Sequence, residues 1–507
     1  MTRRTGAILI LLVWVGAIAW LVGRERFRPR STLLSEAALN VSPAATYYRV
    51  LLGGEQIGFA SNLVDTLPDA IRVENAMLLQ IPALGEVQRV DARTVAELSR
   101  TLRLRTFEAT LRSEAARFAA RGTVEGDSVL RVEIESADSR RTITVPLREP
   151  IVLEGLLPLQ LAFGGELAVG RTYNIQIFDP LVLEQRDVAV TVTAESTMVV
   201  PDSAALPEGD ALWVAARWDT VHAWQVSQRV SGIEVEAWID ESGQIVHATS
   251  PVGFTLERTA FEIAYENFRR RDPSATTFAA SDIIRQTAIA SNAPIPDGAA
   301  QSLRVRLGGV ALEGFDLTGG RQTLEGDVLT IAREPSEDLV ARYRLPADTL
   351  AELLAAEPLI QSDDARIVAQ ARQIVGRQRD PRRAAELLNA WVYEQLSKQI
   401  TVSVPSAVDV LEARRGDCNE HTVLYVALAR AAGIPARTAA GLVYVDGSFY
   451  YHAWPEVFLG DWVAVDPTFG QFPADAAHLR FTIGGLARQV ELIRLIGRLE
   501  LEVVEVG

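Results

Sequence analysis

The sequence predicts an α+β protein, with a long β-rich region followed by a helix-bearing C-terminal region. Three observations carry this. Short runs alternate polar and apolar residues from about Tyr47 to Glu266, the period of strands with one buried face. From Ser362 onward, capping residues precede apolar stripes at helical spacing. Ahead of both, Gly6 to Gly23 holds 18 consecutive uncharged, mostly apolar residues. A hydrophobic content of 48% over 507 residues is ample for several buried cores.

At a rise of ~1.5 Å per residue the N-terminal apolar segment just spans a bilayer core. Arg3 and Arg4 precede it, and Arg24, Arg26, Arg28 and Arg30 follow it. Ala17-Ile18-Ala19 has the small-x-small form of a cleavage site, but cleavage there would leave an apolar, arginine-rich start. Residues 1–30 therefore read as an uncleaved transmembrane helix and membrane anchor. The arginine count by itself leans toward a cytoplasmic body.

Residues 46–270 read as one large antiparallel all-β domain. Arg141 to Leu147 alternates, as does Glu234 to Ile239. The latter turns through Asp240-Glu241-Ser242-Gly243 into Gln244 to His247, which predicts a hairpin. His222 and His247 lie in strand patterns beside Trp224 and Trp238 and read as packed structural histidines. A polar stretch from Ser274 to Ala300 reads as a linker. Residues 301–345 read as a small β-domain, with Gly308-Gly309 and Gly319-Gly320 as turns.

The region 358–507 changes character. Ser362-Asp363-Asp364 offers a cap for a helix running to about Val375. Asp380-Pro381 is a cap followed by proline at the first helical position, and Leu387, Leu388, Trp391, Val392 and Leu396 form the apolar stripe of that helix. Ser406-Ala407-Val408-Asp409 resembles a capping box, and Gly416 can end the helix it starts. Cys418 opens the next helix. Leu424, Leu428 and Ala431 make its stripe, and Gly433-Ile434-Pro435 terminates it.

Cys418 is the sole cysteine, so it cannot serve as an internal staple. A thiol at a helix N-terminus faces unpaired N–H groups, which favour thiolate and can also donate to an oxyanion. Asp417 and Glu420 oppose thiolate through like charge, so a nearby imidazolium is expected. His452 follows the aromatic run Phe449-Tyr450-Tyr451 and is placed on a strand. The next strand, Trp462 to Asp466, ends in a carboxylate after the turn Gly460-Asp461. Antiparallel pairing about that turn would bring His452 and Asp466 together. A thiol, an imidazole and a carboxylate in one region point to thiol acyl-transfer chemistry.

Other candidates read as structural. His421 is expected on the helix surface, Glu456 as a structural carboxylate, and His478 as peripheral. Cys418 and His421 are only two possible ligands, too few for a structural zinc site, and no cofactor motif is present. The net charge of −15 argues against nucleic acid as a partner. Lys398 is the only lysine, so positive charge is nearly all arginine.

Three blocks together resemble the transglutaminase-like superfamily. They are Gly416-Asp417-Cys418 with Ala429 to Arg437; His452-Ala453-Trp454-Pro455-Glu456-Val457; and Trp462 to Thr468. The match runs from Pro381 to Phe472. It implies a papain-like α+β core with Cys418 as nucleophile, His452 as base and acid, and Asp466 as orienter. It also implies a peptide or protein substrate, opened through a thioester, with hydrolysis slightly ahead of amine transfer. Many relatives add an upstream side chain to the oxyanion hole, for which Trp391 and Tyr393 are the candidates. The β-regions resemble those of exported, anchored bacterial relatives, which implies a body on the periplasmic side. The alternative is a catalytically silent binding or scaffold protein at the membrane.

Overall fold

The structure is a computed structural model that describes residues 41–507, apart from short internal stretches, the longest being 272–283 and 336–350. The expected anchor at residues 1–30 lies outside the described residues. Among the described residues no helix is long and apolar enough to cross a membrane.

Strand alternation produces one 15-stranded sheet. Its centre is the pairing of the first described strand, Ala44–Leu52, with Phe254–Thr259. From Ala44–Leu52 an antiparallel meander runs outward to Ser139–Pro146. From Phe254–Thr259 a second series of antiparallel neighbours runs through Ile233–Asp240 and Glu184–Pro201 to Thr172–Asp179. The hairpin read at Asp240 to Gly243 is present, between Ile233–Asp240 and Ile245–Thr249.

Every second side chain of a strand shares a face, and that face is where the apolar residues fall. In Val129–Ser136, for example, Leu130, Val132 and Ile134 are all buried. The first hairpin turns on Gly53-Gly54, both at positive φ (59° and 89°), the backbone hand that suits a two-residue hairpin turn. The short helix Leu157–Phe163 sits against the sheet. Its Leu159 joins one apolar cluster of the sheet, while Leu157 and Leu161 join another.

A second, four-stranded sheet centres on Ser302–Gly308, whose Leu303, Val305 and Leu307 are buried. One neighbour is Val328–Ala332, as a local β-unit requires. The other is the last strand of the protein, Glu500–Val506, nearly 200 positions away in sequence. The sequence alone assigned that strand to the C-terminal domain, because nothing local marks a partner so distant.

In the C-terminal region the helices Ala365–Val375, Pro381–Gln395, Ala407–Ala413 and Cys418–Ala431 pack on a sheet of Ala436–Val445, Ser448–Phe458, Trp462–Ala464 and His478–Ile483. Asp364 and Asp380 cap as read: each carboxylate accepts the backbone N–H two residues on, at 2.9 Å and 3.0 Å. Ser406 does not cap with its side chain, and its hydroxyl instead bonds Gln361 Nε2. The Cys418 helix is buried on all sides, from Glu420 to Arg430, rather than along the single stripe expected. Three helices and the sheet enclose it, so even His421 and Thr422 are inside.

The C-terminal region docks on the large sheet. Val404, Leu359 and Leu486 join the sheet's main apolar cluster. Ser136 bonds Asp409, Arg141 pairs with Asp363, and Arg415 donates to the Glu114 carbonyl at 2.8 Å.

Deleting residues 500–507 should therefore damage a sheet whose other strands lie far upstream in sequence. We expect the Leu303–Val305–Leu307 face to become exposed, with increased binding of an apolar dye and faster proteolysis within 302–332. Unchanged dye binding and proteolysis would show the last strand to be an appendage.

Candidate active site

Cys418 is the first residue of its helix, and Asp417 is the cap. Asp417 Oδ1 accepts the Asn419 N–H at 2.8 Å, and Glu420 Oε2 accepts the Asp417 N–H at 3.0 Å. This is a reciprocal capping box. Residue 416 must be glycine for it to form, because a Cβ there would lie 2.2 Å from Glu420 Cβ.

The cap changes the electrostatics read from sequence. Burial pushes the Cys418 thiol well above its ordinary value, and the Asp417 carboxylate adds to the rise. A hydrogen bond with the Ala453 backbone works the other way without prevailing. The positive end of the helix is largely spent on the cap's own carboxylates. Asp417 is itself pushed up, first by burial and then by Glu420.

His452 lies on Ser448–Phe458, and Asp466 follows Trp462–Ala464, the strand paired with it. The two meet as the hairpin reading expected: His452 Nε2 is 2.7 Å from Asp466 Oδ2. Asp466 Oδ1 accepts the N–H groups of Thr468 (2.7 Å) and Phe469 (3.0 Å). His452 and Cys418 line one pocket of about 230 Å³, together with Ala453. Since Nε2 faces the carboxylate, Nδ1 is the ring nitrogen left to serve the thiol.

His478 is not peripheral. It is fully buried, with Nε2 2.9 Å from the same Asp466 Oδ2 and Nδ1 2.8 Å from Asp475 Oδ1. With a carboxylate at each ring nitrogen, both nitrogens act as donors and the ring carries a charge. Burial alone would lower its pKa, but Asp466 and Asp475 outweigh this and raise it. Burial would likewise raise Asp466, but His452 and His478 outweigh it and hold the carboxyl below its ordinary range. The sequence signal was thin: Asp475 three residues before His478, in an alanine-rich stretch with no helical or strand period. Its strand, His478–Ile483, reaches the site by pairing with Ala436–Val445.

His421 is also buried, not on the surface, with Nδ1 2.7 Å from the Asp417 carbonyl. Glu456 is structural as expected, held by Arg437 and Arg480. His222 differs from its packed reading. It stacks edge-on with Trp224, yet is partly exposed beside Glu195 and Glu241. Trp391 and Tyr393 lie outside the Cys418 pocket, under Arg414 and Lys398 respectively.

His452, Asp466 and His478 offer three ligand atoms within 4.8 Å of one another. Most of the atoms a cation would need are already engaged: both rings share Asp466 Oδ2, two amides take Oδ1, and Asp475 takes His478 Nδ1, which leaves His452 Nδ1. The cluster fits a hydrogen-bond relay better than a metal site.

Residues 368–467 match the model of the transglutaminase-like superfamily. That segment, about a fifth of the chain, is similar to a transglutaminase-like core. An uncharacterised protein of Haemophilus influenzae is 32% identical over 122 residues, which are 22% of this chain and 32% of that protein. The match thus spans about a third of the length of that relative. Among solved structures, a candidate cysteine protease from Cytophaga hutchinsonii overlaps 41% of this chain and 86% of its own, at 15% identity and a TM-score of 0.28. A β-barrel-like protein of unknown function from Brucella abortus overlaps 43% and 95%, at 12% identity and a TM-score of 0.31. Neither overlap is close enough to carry an argument.

The charged His478 has a stability signature. A histidine raised in the folded state contributes fully below its unfolded pKa of ~6.5, and that contribution is lost as pH rises through the folded value. His478→Asn should therefore be less stable than the parent, with the gap narrowing as pH rises from about 6 toward 9. Urea unfolding across that range reads the difference. A gap independent of pH would show that His478 is buried neutral.

Proposed function

We propose that the protein is a thiol acyl-transfer enzyme acting on peptide or protein amides, with hydrolysis the main outcome. One observation carries the reading: His452, oriented by a buried Asp466, shares a pocket with a thiol at a helix start. On this mechanism Cys418 Sγ attacks the amide carbonyl as its proton passes to His452 Nδ1. The capping box turns the N–H groups of Asn419 and Glu420 toward Asp417, which leaves Cys418's own amide as the first-turn donor for the oxyanion. The tetrahedral intermediate collapses as His452 protonates the leaving amine. The thioester is then opened by water, activated by the same imidazole. Among the described residues no carboxylate lines the pocket to hold a protonated lysine, which favours water over amine as acceptor.

A silent scaffold would have no need of a base aligned by a buried ionised carboxylate, and the intact trio favours turnover. The apolar segment at residues 6–23 supports attachment to the cytoplasmic membrane, and the resemblance to exported, anchored relatives favours a body outside it, against the arginine count.

Cys418→Ala should abolish hydrolysis of susceptible peptides while leaving thermal unfolding unchanged. His452→Ala should cost roughly 10²–10⁴-fold in kcat/KM. The Cys418 thiol should also alkylate more slowly in His452→Ala at neutral pH, because its own pKa is pushed up and it relies on the base. Peptide cleavage by Cys418→Ala would refute the mechanism. The anchor is checked separately: the full-length protein should stay with membranes through a carbonate wash, and residues 31–507 should not.

A further inference from the structure

The pocket over the thiol does not end at the thiol. A second cavity of about 190 Å³ adjoins it, and Asn419 and Gln489 line both. In the first cavity Leu492, Ile493 and Ile496 form an aliphatic wall opposite Cys418 and His452. In the second the lining passes to Val423 and Leu486 and then to Val182 and Leu183, in the turn between Thr172–Asp179 and Glu184–Pro201 of the large sheet. The result is a bent cleft that starts at the reacting residues and ends against the other domain.

Two features point to an occupant. Tyr451 lines the first cavity, and its hydroxyl is buried with no hydrogen-bond partner among the described residues. A buried hydroxyl left unpaired is costly, and a ligand oxygen accepting from it would remove that cost. Burial also raises the Tyr451 pKa, so the group remains a donor at any working pH. At the far end Leu183 has φ +59°, a conformation that glycine adopts freely and a leucine adopts only against strain. A leucine occupies the position despite that cost, and it forms part of the cleft.

The chemistry of the lining is mixed in a specific way. Asn419 and Gln489 line both cavities, Tyr451 brings one unpaired hydroxyl, and the rest of the lining is mainly aliphatic, with Glu357 in the second cavity already paired to Arg430. Amides and a hydroxyl suit backbone C=O and N–H groups, and an aliphatic wall suits a residue of the same kind. We propose that this cleft binds an extended peptide with a branched aliphatic residue beside the reacting amide, that the Tyr451 hydroxyl donates to a backbone carbonyl of that peptide, and that the turn holding Val182 and Leu183 closes its far end. The choice of substrate rests on the function proposed above, but binding in the cleft does not require turnover.

The test uses both arms. Fluorescein-labelled, end-blocked pentapeptides with Leu, Ile, Asp or Arg at the centre are titrated onto the full-length Cys418→Ala protein, with anisotropy as readout. The Leu and Ile peptides should bind at least about 10-fold tighter than the Asp and Arg peptides. Tyr451→Phe on that background should weaken the Leu peptide by roughly 3–10-fold, the worth of one hydrogen bond, without a change in thermal unfolding. Ile493→Arg should reverse the preference toward the Asp peptide. The parent enzyme is given the same peptides and cleavage is followed by mass spectrometry. Selective binding without cleavage would sustain the cleft and overturn the proposed hydrolysis. Cleavage with no aliphatic preference, or binding unaffected by Tyr451→Phe and Ile493→Arg, would overturn the cleft and leave the hydrolysis standing. Neither binding nor cleavage would overturn both.

Discussion

The site depends on keeping one carboxylate ionised where water does not reach. Asp466 is fully buried, and an isolated charge there would be prohibitive. Four donors make it tolerable: two backbone N–H groups of the following turn and two imidazole nitrogens from different strands. Each donor is thereby fixed in place. The turn after Asp466 is shaped by its amides, the His452 ring by its Nε2, and the strand beginning at His478 is pinned to the site from the far side. A neutral replacement would leave at least one of these donors facing another, so the constraint is shared by local structure, tertiary pairing and chemistry.

The second carboxylate, Asp475, extends the same logic. His478 would be an uncompensated buried cation if Asp466 were its sole partner and Asp466 were also serving His452. With Asp475 at its other nitrogen, the buried groups form a series of alternating sign, His452–Asp466–His478⁺–Asp475. A network of this kind rigidifies when complete and is costly when broken. The buried carboxylate thereby holds the His452 ring through Nε2.

Legibility followed sequence distance. Cys418, His452 and Asp466 could be read because each stands in a local pattern: a helix start after Gly416, an aromatic strand, and a hairpin whose turn aligns two strand ends. The large sheet was legible for the same reason, through a period of two. What escaped was set by long-range pairing. His478 sits in an alanine-rich stretch, and only its pairing with Ala436–Val445 brings it inside. Glu500–Val506 gave no hint of belonging with Ser302–Gly308. The capping box was misplaced by one helix, because Ser406 and Asp417 both satisfy the pattern. At Ser406 the hydroxyl accepts from Gln361 Nε2 and makes no cap bond to its own helix.

The capping box has a mechanistic consequence that a helix dipole argument misses. A helix start is commonly taken to acidify a thiol, yet here the first-turn N–H groups are directed at Asp417, and Cys418 is raised rather than lowered. The fold therefore spends its N-terminal electrostatics on holding the thiol in place, not on ionising it. If Cys418 reacts as proposed, its proton must leave during the attack, and the burden falls on His452 and hence on Asp466. A thiol disfavoured as thiolate depends on its base for any such reaction. The transfer of one proton across the pocket then becomes the step the whole relay is built to support.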